Sequence, residues 1–224
     1  MKLAITPTLL GSFDWCLNAP SSWKERAFRD FAATIRREKK EYGIEAQKGV
    51  EFEDNVYAVC DAISVGAMQN NKGTKLFQSV VEKCIGGRFQ EWGQLYFDVE
   101  EIGTFRAYGK LDVNFDVGSE RHPAGHIIDL KTTGNYKGEA KYLSGWQHLM
   151  YCLFKNVPTF EYLVAEWQAK GVFKLAQIHS VQYTMTDKTA ALEAIKGHTR
   201  KFITFLKAHN LYDDYIYVYC KNPR

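Results

Sequence analysis

Asp129 and Lys131 stand two residues apart in HIIDLKTTG (126–134), a run whose Ile127, Ile128 and Leu130 read as buried β-strand. An unpaired charge loses its hydration in such a strand, so the two need partners or a polar cleft. On a strand they share a face, ~6.5–7 Å apart. The preceding strand pattern, AYGKLDVNFDV (107–117), alternates Leu111, Val113, Phe115 and Val117 on one face with Lys110, Asp112, Asn114 and Asp116 on the other. Adjacent strands lie ~5 Å apart, which would bring Asp112 beside Asp129. Two carboxylates that close repel unless a cation lies between them. A hard divalent ion such as Mg²⁺ takes oxygen ligands and keeps some of its water. Lys131 could then stabilise charge on a phosphate or orient an attacking water. The plainer readings are a half-solvated strand for Asp112 and a strand ion pair for Asp129 and Lys131.

Two helices must supply the rest. In YLSGWQHLMYCLFKN (142–156) the inward stripe is Leu143, Trp146, Met150 and Phe154, with Gln147 and Tyr151 inside it. Buried polar groups need partners, so this pair is either a satisfied core-edge group or the lining of a cleft beside Asp129 and Lys131. A helix over about 45–63 carries Phe52, Val56, Val59, Cys60 and Ile63 at spacings of three and four. Glu53 borders that stripe and Glu51 and Asp54 point further out, although the spacing leaves Glu51 open as the relevant acid. An acid at a stripe's edge is most often simply solvated. Gly49, one turn before Glu53, allows another backbone to approach.

Other helices are expected at 21–41, 74–85 and 187–208, and strands at 93–101, 104–117, 126–133, 160–167 and 174–186, with turns at Gly103 and Gly171. The order predicts an α/β fold: a mixed central sheet flanked by helices. The 21–41 segment holds seven Lys/Arg against four Asp/Glu, a solvated face or, less simply, a DNA-backbone contact. At 224 residues, without repeat or linker, one domain over 1–224 is expected. Hydrophobic residues make up 46%, charged residues 25%, and the formal charge is +3. That composition is ordinary for a globular protein and too mild to argue for nucleic acid. Five scattered cysteines offer no zinc spacing, and an odd number argues against a disulfide framework. Pro7 and Asp14 interrupt the N-terminal apolar run, and no run nears the ~20 residues of a membrane span. A cytoplasmic protein without a membrane partner is the expectation.

Taken in order, G-x-x-x-E (Gly49 to Glu53), G-K-L-D (109–112), D-L-K-T-T (129–133) and Q-H-L-M-Y (147–151) resemble the PD-(D/E)XK nuclease superfamily, most closely its RecB/RecE-like exonuclease branch. D-x-K alone would be nearly worthless; four motifs in order on the right elements are specific, and they cover about 45–165. The resemblance implies a restriction-endonuclease-like αβββαβ core and hydrolysis of DNA phosphodiesters with Mg²⁺ or Mn²⁺. Asp112, Asp129, the Leu130 carbonyl and Glu53 would hold the metal, Lys131 would position the attacking water, and Gln147 and Tyr151 would organise the cleft and contact DNA. Many RecB-like members carry His where Glu53 stands, whereas the lambda-exonuclease-like branch more often has an acid. Iron–sulfur members need three cysteines near the C-terminus. Here Cys16 fits the lone upstream position but only Cys220 lies near the end, so no cluster is expected.

The resulting expectation is a stand-alone exonuclease of DNA ends, of the sort found in phage recombination systems or in repair. A single-strand annealing or recombination protein and a ring-shaped homo-oligomer are left open as partners. The rivals are a catalytically idle fold that binds DNA ends or a recombination partner, and an endonuclease of restriction or junction-resolving type.

Overall fold

The computed structural model describes residues 2–39, 41, 43–69, 73–115, 117–118, 122, 124–169 and 171–221. The chain begins with a short strand, β1 (Leu3–Ile5), and runs into α1 (Pro7–Asn18). Thr6 caps α1 by accepting the Leu9 N–H at 3.1 Å, and Pro7 follows at the first helical position, where a missing N–H costs nothing. A 3₁₀ turn (Ser21–Trp23) leads into α2 (Lys24–Ile35), and α3 (Ile44–Ser64) and α4 (Lys75–Cys84) follow. Next come β2 (Arg88–Val99), β3 (Gly103–Phe115), β4 (His126–Thr133), α5 (Ala140–Leu143), α6 (Gln147–Lys155), β5 (Thr159–Ala169) and β6 (Val172–Thr184). The last elements are α7 (Lys188–Ala208), α8 (Tyr212–Tyr215) and a π-helical turn (Ile216–Lys221).

The described strands form one six-stranded mixed sheet in the order β1-β3-β4-β5-β6, with β2 also on β3. Pairing is parallel for β1–β3 and β4–β5 and antiparallel for β2–β3, β3–β4 and β5–β6. From α3 through β2, β3, β4, α6 and β5 the expected αβββαβ succession is present. Phe52, Val56 and Cys60 of α3 and Val80, Val81 and Cys84 of α4 cover one side of the sheet through Val113, Ile128, Leu130 and Leu163. The other side carries α1, α2, α6 and α7 over Phe105, Leu111, Ile127, Phe160 and Tyr162. β5 is buried on both faces, which is why its sequence lacks strict alternation.

β3 is where the sheet divides. One of its edges pairs with β2 along its length. On the other, 105–107 pair with β1 and 113–115 pair with β4, and among the described residues 108–112 have no strand partner there. Their pairing directions aim the carboxyl ends of both β1 and β4 at this opening.

The structure corrects several sequence expectations. β1 and α1 lie where no element was expected, and the C-terminal turns 212–221 were also missed. The helix of 142–156 is two helices, broken at Ser144-Gly145-Trp146, so Leu143 and Trp146 do not continue the stripe of Met150 and Phe154. β2 begins at Arg88, five residues earlier than expected. β3 ends at Phe115, leaving Val117 92% exposed rather than on an apolar face; Asp116 lies outside the described residues. Asn114 is fully buried rather than half-solvated and donates to Glu91 at 2.7 Å.

Candidate active site

The opening in the β3 edge is filled by side chains. Asp112 Oδ2 accepts the Leu130 N–H at 2.9 Å, a bond the diverging strands no longer supply from backbone. A strand residue's N–H and C=O leave on the same edge, so the Leu130 carbonyl faces the same opening. Tyr151 of α6 donates to the carbonyl of Lys110 at 2.8 Å, closing the other end of the unpaired edge. A Cβ at Gly109 would come within 2.8 Å of the Tyr151 ring, so the glycine of G-K-L-D is what lets the phenol reach the strand.

Asp129 is fully buried. Its Oδ1 accepts from the Gln147 amide, which also donates to Tyr151 at 3.3 Å. Its Oδ2 rests against the Lys131 ammonium as an ion pair, in an orientation that leaves it without a well-directed hydrogen bond. Lys131 is half-buried and borders a cavity of about 340 Å³ whose lining includes Thr8, Gly11, Lys141, Trp146 and Gln147. Asp129 and Tyr57 of α3 lie close enough to Asp112 to bear on its protonation. Glu53 enters from the α3 side of the sheet, whereas Glu51 is exposed and pairs with Lys48 at 2.5 Å. Gly49 admits not a backbone but the Thr132 hydroxyl, 2.8 Å from where its Cβ would be.

The electrostatics are those of a site with too much negative charge. Burial, reinforced by Asp112, pushes Glu53 up to about 7. Burial also raises Asp129, to about 8, with Asp112 adding to the shift and Lys131 opposing it. Asp112 is raised by burial against the pull of Lys131 and the Leu130 N–H. Burial would lower Lys131, but Asp129 and Asp112 outweigh it and keep the ammonium charged. One lysine thus faces three carboxyls that burial above all inclines to hold protons.

Among the described residues no three His, Cys, Asp or Glu side chains are gathered tightly enough to hold a metal ion as they stand. The donor set nonetheless suits a hard divalent cation: buried carboxylates, an inward backbone carbonyl, and an Asp129 oxygen without a well-directed donor.

Each residue singled out from sequence, namely Glu53, Asp112, Asp129, Leu130, Lys131, Gln147 and Tyr151, is placed at this one opening. Sequence reasoning missed Tyr57 and Gln90. The Gln90 amide donates to Tyr57 at 2.9 Å and to Asp112 at 3.3 Å. The ladder pairs its neighbours, Phe89 with Val113 and Glu91 with Leu111, and Gln90 itself, at φ +56°, leaves the regular pairing and reaches Asp112 through its side chain.

No protein-family model and no curated protein sequence matches the chain. Among solved structures, a phage-related exonuclease from Haemophilus somnus 129PT superposes with a TM-score of 0.50 at 13% identity, covering 93% of this chain and 97% of that one. The chain has the PD-(D/E)XK nuclease fold. The protein SSO0001 is similar at TM-score 0.52 and 12% identity, over 89% of this chain and 77% of its own. The alkaline exonuclease LHK-Exo of Laribacter hongkongensis matches over 92% of this chain and 89% of its own, at 12% identity and TM-score 0.46. Within the PD-(D/E)XK fold of this chain the four motifs fall on α3, β3, β4 and α6, all at the opening where β3 and β4 part.

Proposed function

We propose that the protein is a Mg²⁺- or Mn²⁺-dependent deoxyribonuclease that hydrolyses phosphodiester bonds from DNA ends, acting in recombination or repair. The observation that carries this reading is the convergence of Asp112, Asp129 and Glu53 with Lys131 at the divergence of β3 and β4. The likeness of the fold to that of a phage-related exonuclease supports the hydrolytic part of this reading. Asp112, Asp129, the Leu130 carbonyl and Glu53 would hold the metal. When bound, it supplies the charge that keeps the three carboxylates ionised together and offsets negative charge developing on the phosphate.

The chain's own groups do the rest. Lys131 orients the attacking water and faces the charge that accumulates on the phosphate oxygens. Gln147 holds Asp129 Oδ1 in place. Tyr151, a phenol that burial keeps protonated, braces α6 against the Lys110 carbonyl. Gln90, whose amide also donates to Tyr57, fixes the Asp112 carboxyl from the opposite side.

Purified protein with linear duplex, single-stranded and closed circular DNA, with and without Mn²⁺, tests the proposal. Nucleotide release from linear DNA alone is expected. Cutting of circles would favour an endonuclease, and no release under any metal condition would sink the reading. Lys131→Ala should abolish the activity. An unchanged Lys131→Ala rate would place the activity elsewhere and leave this fold a binding module. No described helix is long and apolar enough to cross a membrane, and the reading takes the site of action as the cytoplasm.

A further inference from the structure

The outward face of the β2–β3 ribbon begins at the site and is not used by the chemistry above. Opposed residues of an antiparallel pair share a face, so its successive rungs are Trp92 with Lys110, Gln94 with Tyr108, Tyr96 with Arg106, and Asp98 with Thr104, and at the site end the Gln90 amide donates to Asp112. The opposite face, marked by Gly93 and Gly109, is pressed against Phe154 and Tyr151 of α6. The outward face is left with Trp92 64% exposed and Tyr96 45% exposed. Lys110 is exposed beside Trp92, Arg106 lies over the Tyr108 ring at 4.9 Å, and Lys2 from the neighbouring strand end lies over Tyr96 at 4.4 Å. Arg37 donates to the Tyr108 hydroxyl at 3.3 Å. The three rungs from Trp92 to Tyr96 therefore carry the exposed rings of Trp92 and Tyr96, the buried ring of Tyr108, the cations Lys110 and Arg106, and no carboxylate. Acids return only at the ends, with Asp112 in the site and Asp98 near the hairpin tip.

We propose that this face is a track for a single strand of DNA, on which a base stacks on Trp92 while Lys110 and Arg106 meet the phosphates. Trp92 is one rung from Asp112, ~6.5–7 Å along the strand, so a strand laid on the track runs directly into the site. Rings and cations recognise any base and any phosphate, which is the sequence-tolerant chemistry that an end-degrading enzyme requires. The direction of travel rests on the nuclease reading; the binding itself does not.

The test is the affinity of a fluorescein-labelled oligodeoxythymidylate, measured by anisotropy with EDTA present. Loss of one stacked base predicts about tenfold weaker binding for Trp92→Ala and recovery by Trp92→Phe. Lys110→Ala should flatten the salt dependence. Trp23, 46% exposed in the 3₁₀ turn and away from the ribbon, serves as control, and Trp23→Ala should bind as the parent does. A melting curve for each variant guards against misfolding. Unchanged affinity for Trp92→Ala overturns the track, as does an equal loss in Trp23→Ala. A change in sedimentation with unchanged affinity overturns it in favour of an interface with a second copy. Hydrolysis of bis(p-nitrophenyl) phosphate with Mn²⁺ separates the two proposals. Trp92-dependent binding without hydrolysis sinks the catalytic reading alone, and hydrolysis with Trp92-independent binding sinks the track alone.

Discussion

Replacing Glu53 by Gln should stabilise the metal-free protein at pH 8 and leave it unchanged at pH 4. Glu53 is half-buried beside Asp112, and its carboxyl is pushed from 4.5 to about 7. A carboxyl raised on folding favours the folded state while it is protonated. That contribution is complete below the unfolded value and disappears as pH rises through about 7. At ~1.4 kcal/mol for each tenfold change in proton affinity, the full displacement is worth ~3 kcal/mol. Solvent still reaches part of the side chain and screens it, so ~1–2 kcal/mol is the realistic gain for the neutral, isosteric amide. For a chain of this size that corresponds to roughly 2–8 °C in melting temperature. Differential scanning fluorimetry from pH 4 to 8 with EDTA should show the two melting curves together in acid and parting through neutrality, with Glu53→Gln the higher. Added Mn²⁺ should reverse the order, because ligand at a hundredfold over its dissociation constant stabilises its binder by ~2.7 kcal/mol and the variant has lost a donor. A Glu53→Gln protein less stable than the parent at pH 8 without metal, or offset equally at every pH, would refute the argument that Glu53 faces Asp112 as an uncompensated charge.

Gln147→Ala removes the donor to the buried Asp129 Oδ1 and the contact with Tyr151, so it should cost ~1–3 kcal/mol of folding free energy and also slow cleavage. A thermal melt run beside a nuclease assay would expose the error if either quantity held at the parent value. Gly109→Ala places a Cβ 2.8 Å from the Tyr151 ring and should destabilise by ~1–3 kcal/mol while detaching Tyr151 from the Lys110 carbonyl. Parental urea denaturation and parental nuclease activity together would rule that out. Glu161 resists the cost of its burial through His126 and Lys83 and lies at about 2. Glu161→Gln should therefore lower stability at every pH above the ordinary carboxylate range, with the deficit closing as acid approaches pH 2. Urea midpoints at pH 7 and pH 4 that show no deficit would exclude it.

The candidate site residues stood out in the sequence because their types conflict with their neighbourhoods. Asp129 and Lys131 interrupt an apolar strand, Gln147 and Tyr151 interrupt an apolar helical stripe, and only a polar cleft reconciles both. Period-2 and period-3.6 patterns likewise determined β3, β4, α3 and α7 to within a few residues. Local pattern could not reveal partners distant in sequence. β1 is three residues long and is a strand only because β3 has an unpaired edge to receive it. The opening itself exists because β1 and β4 take different ends of that edge, a fact of topology carried by no single segment. Gln90 became a partner of Asp112 only when the hairpin brought β2 and β3 together, and Glu53 was distinguished from Glu51 only when α3 settled one face on the sheet. Side-chain type and periodicity are written residue by residue, but burial and the distances between charges are set by packing alone, and so the raised affinity of Glu53 and Asp129 for protons belongs to the tertiary structure.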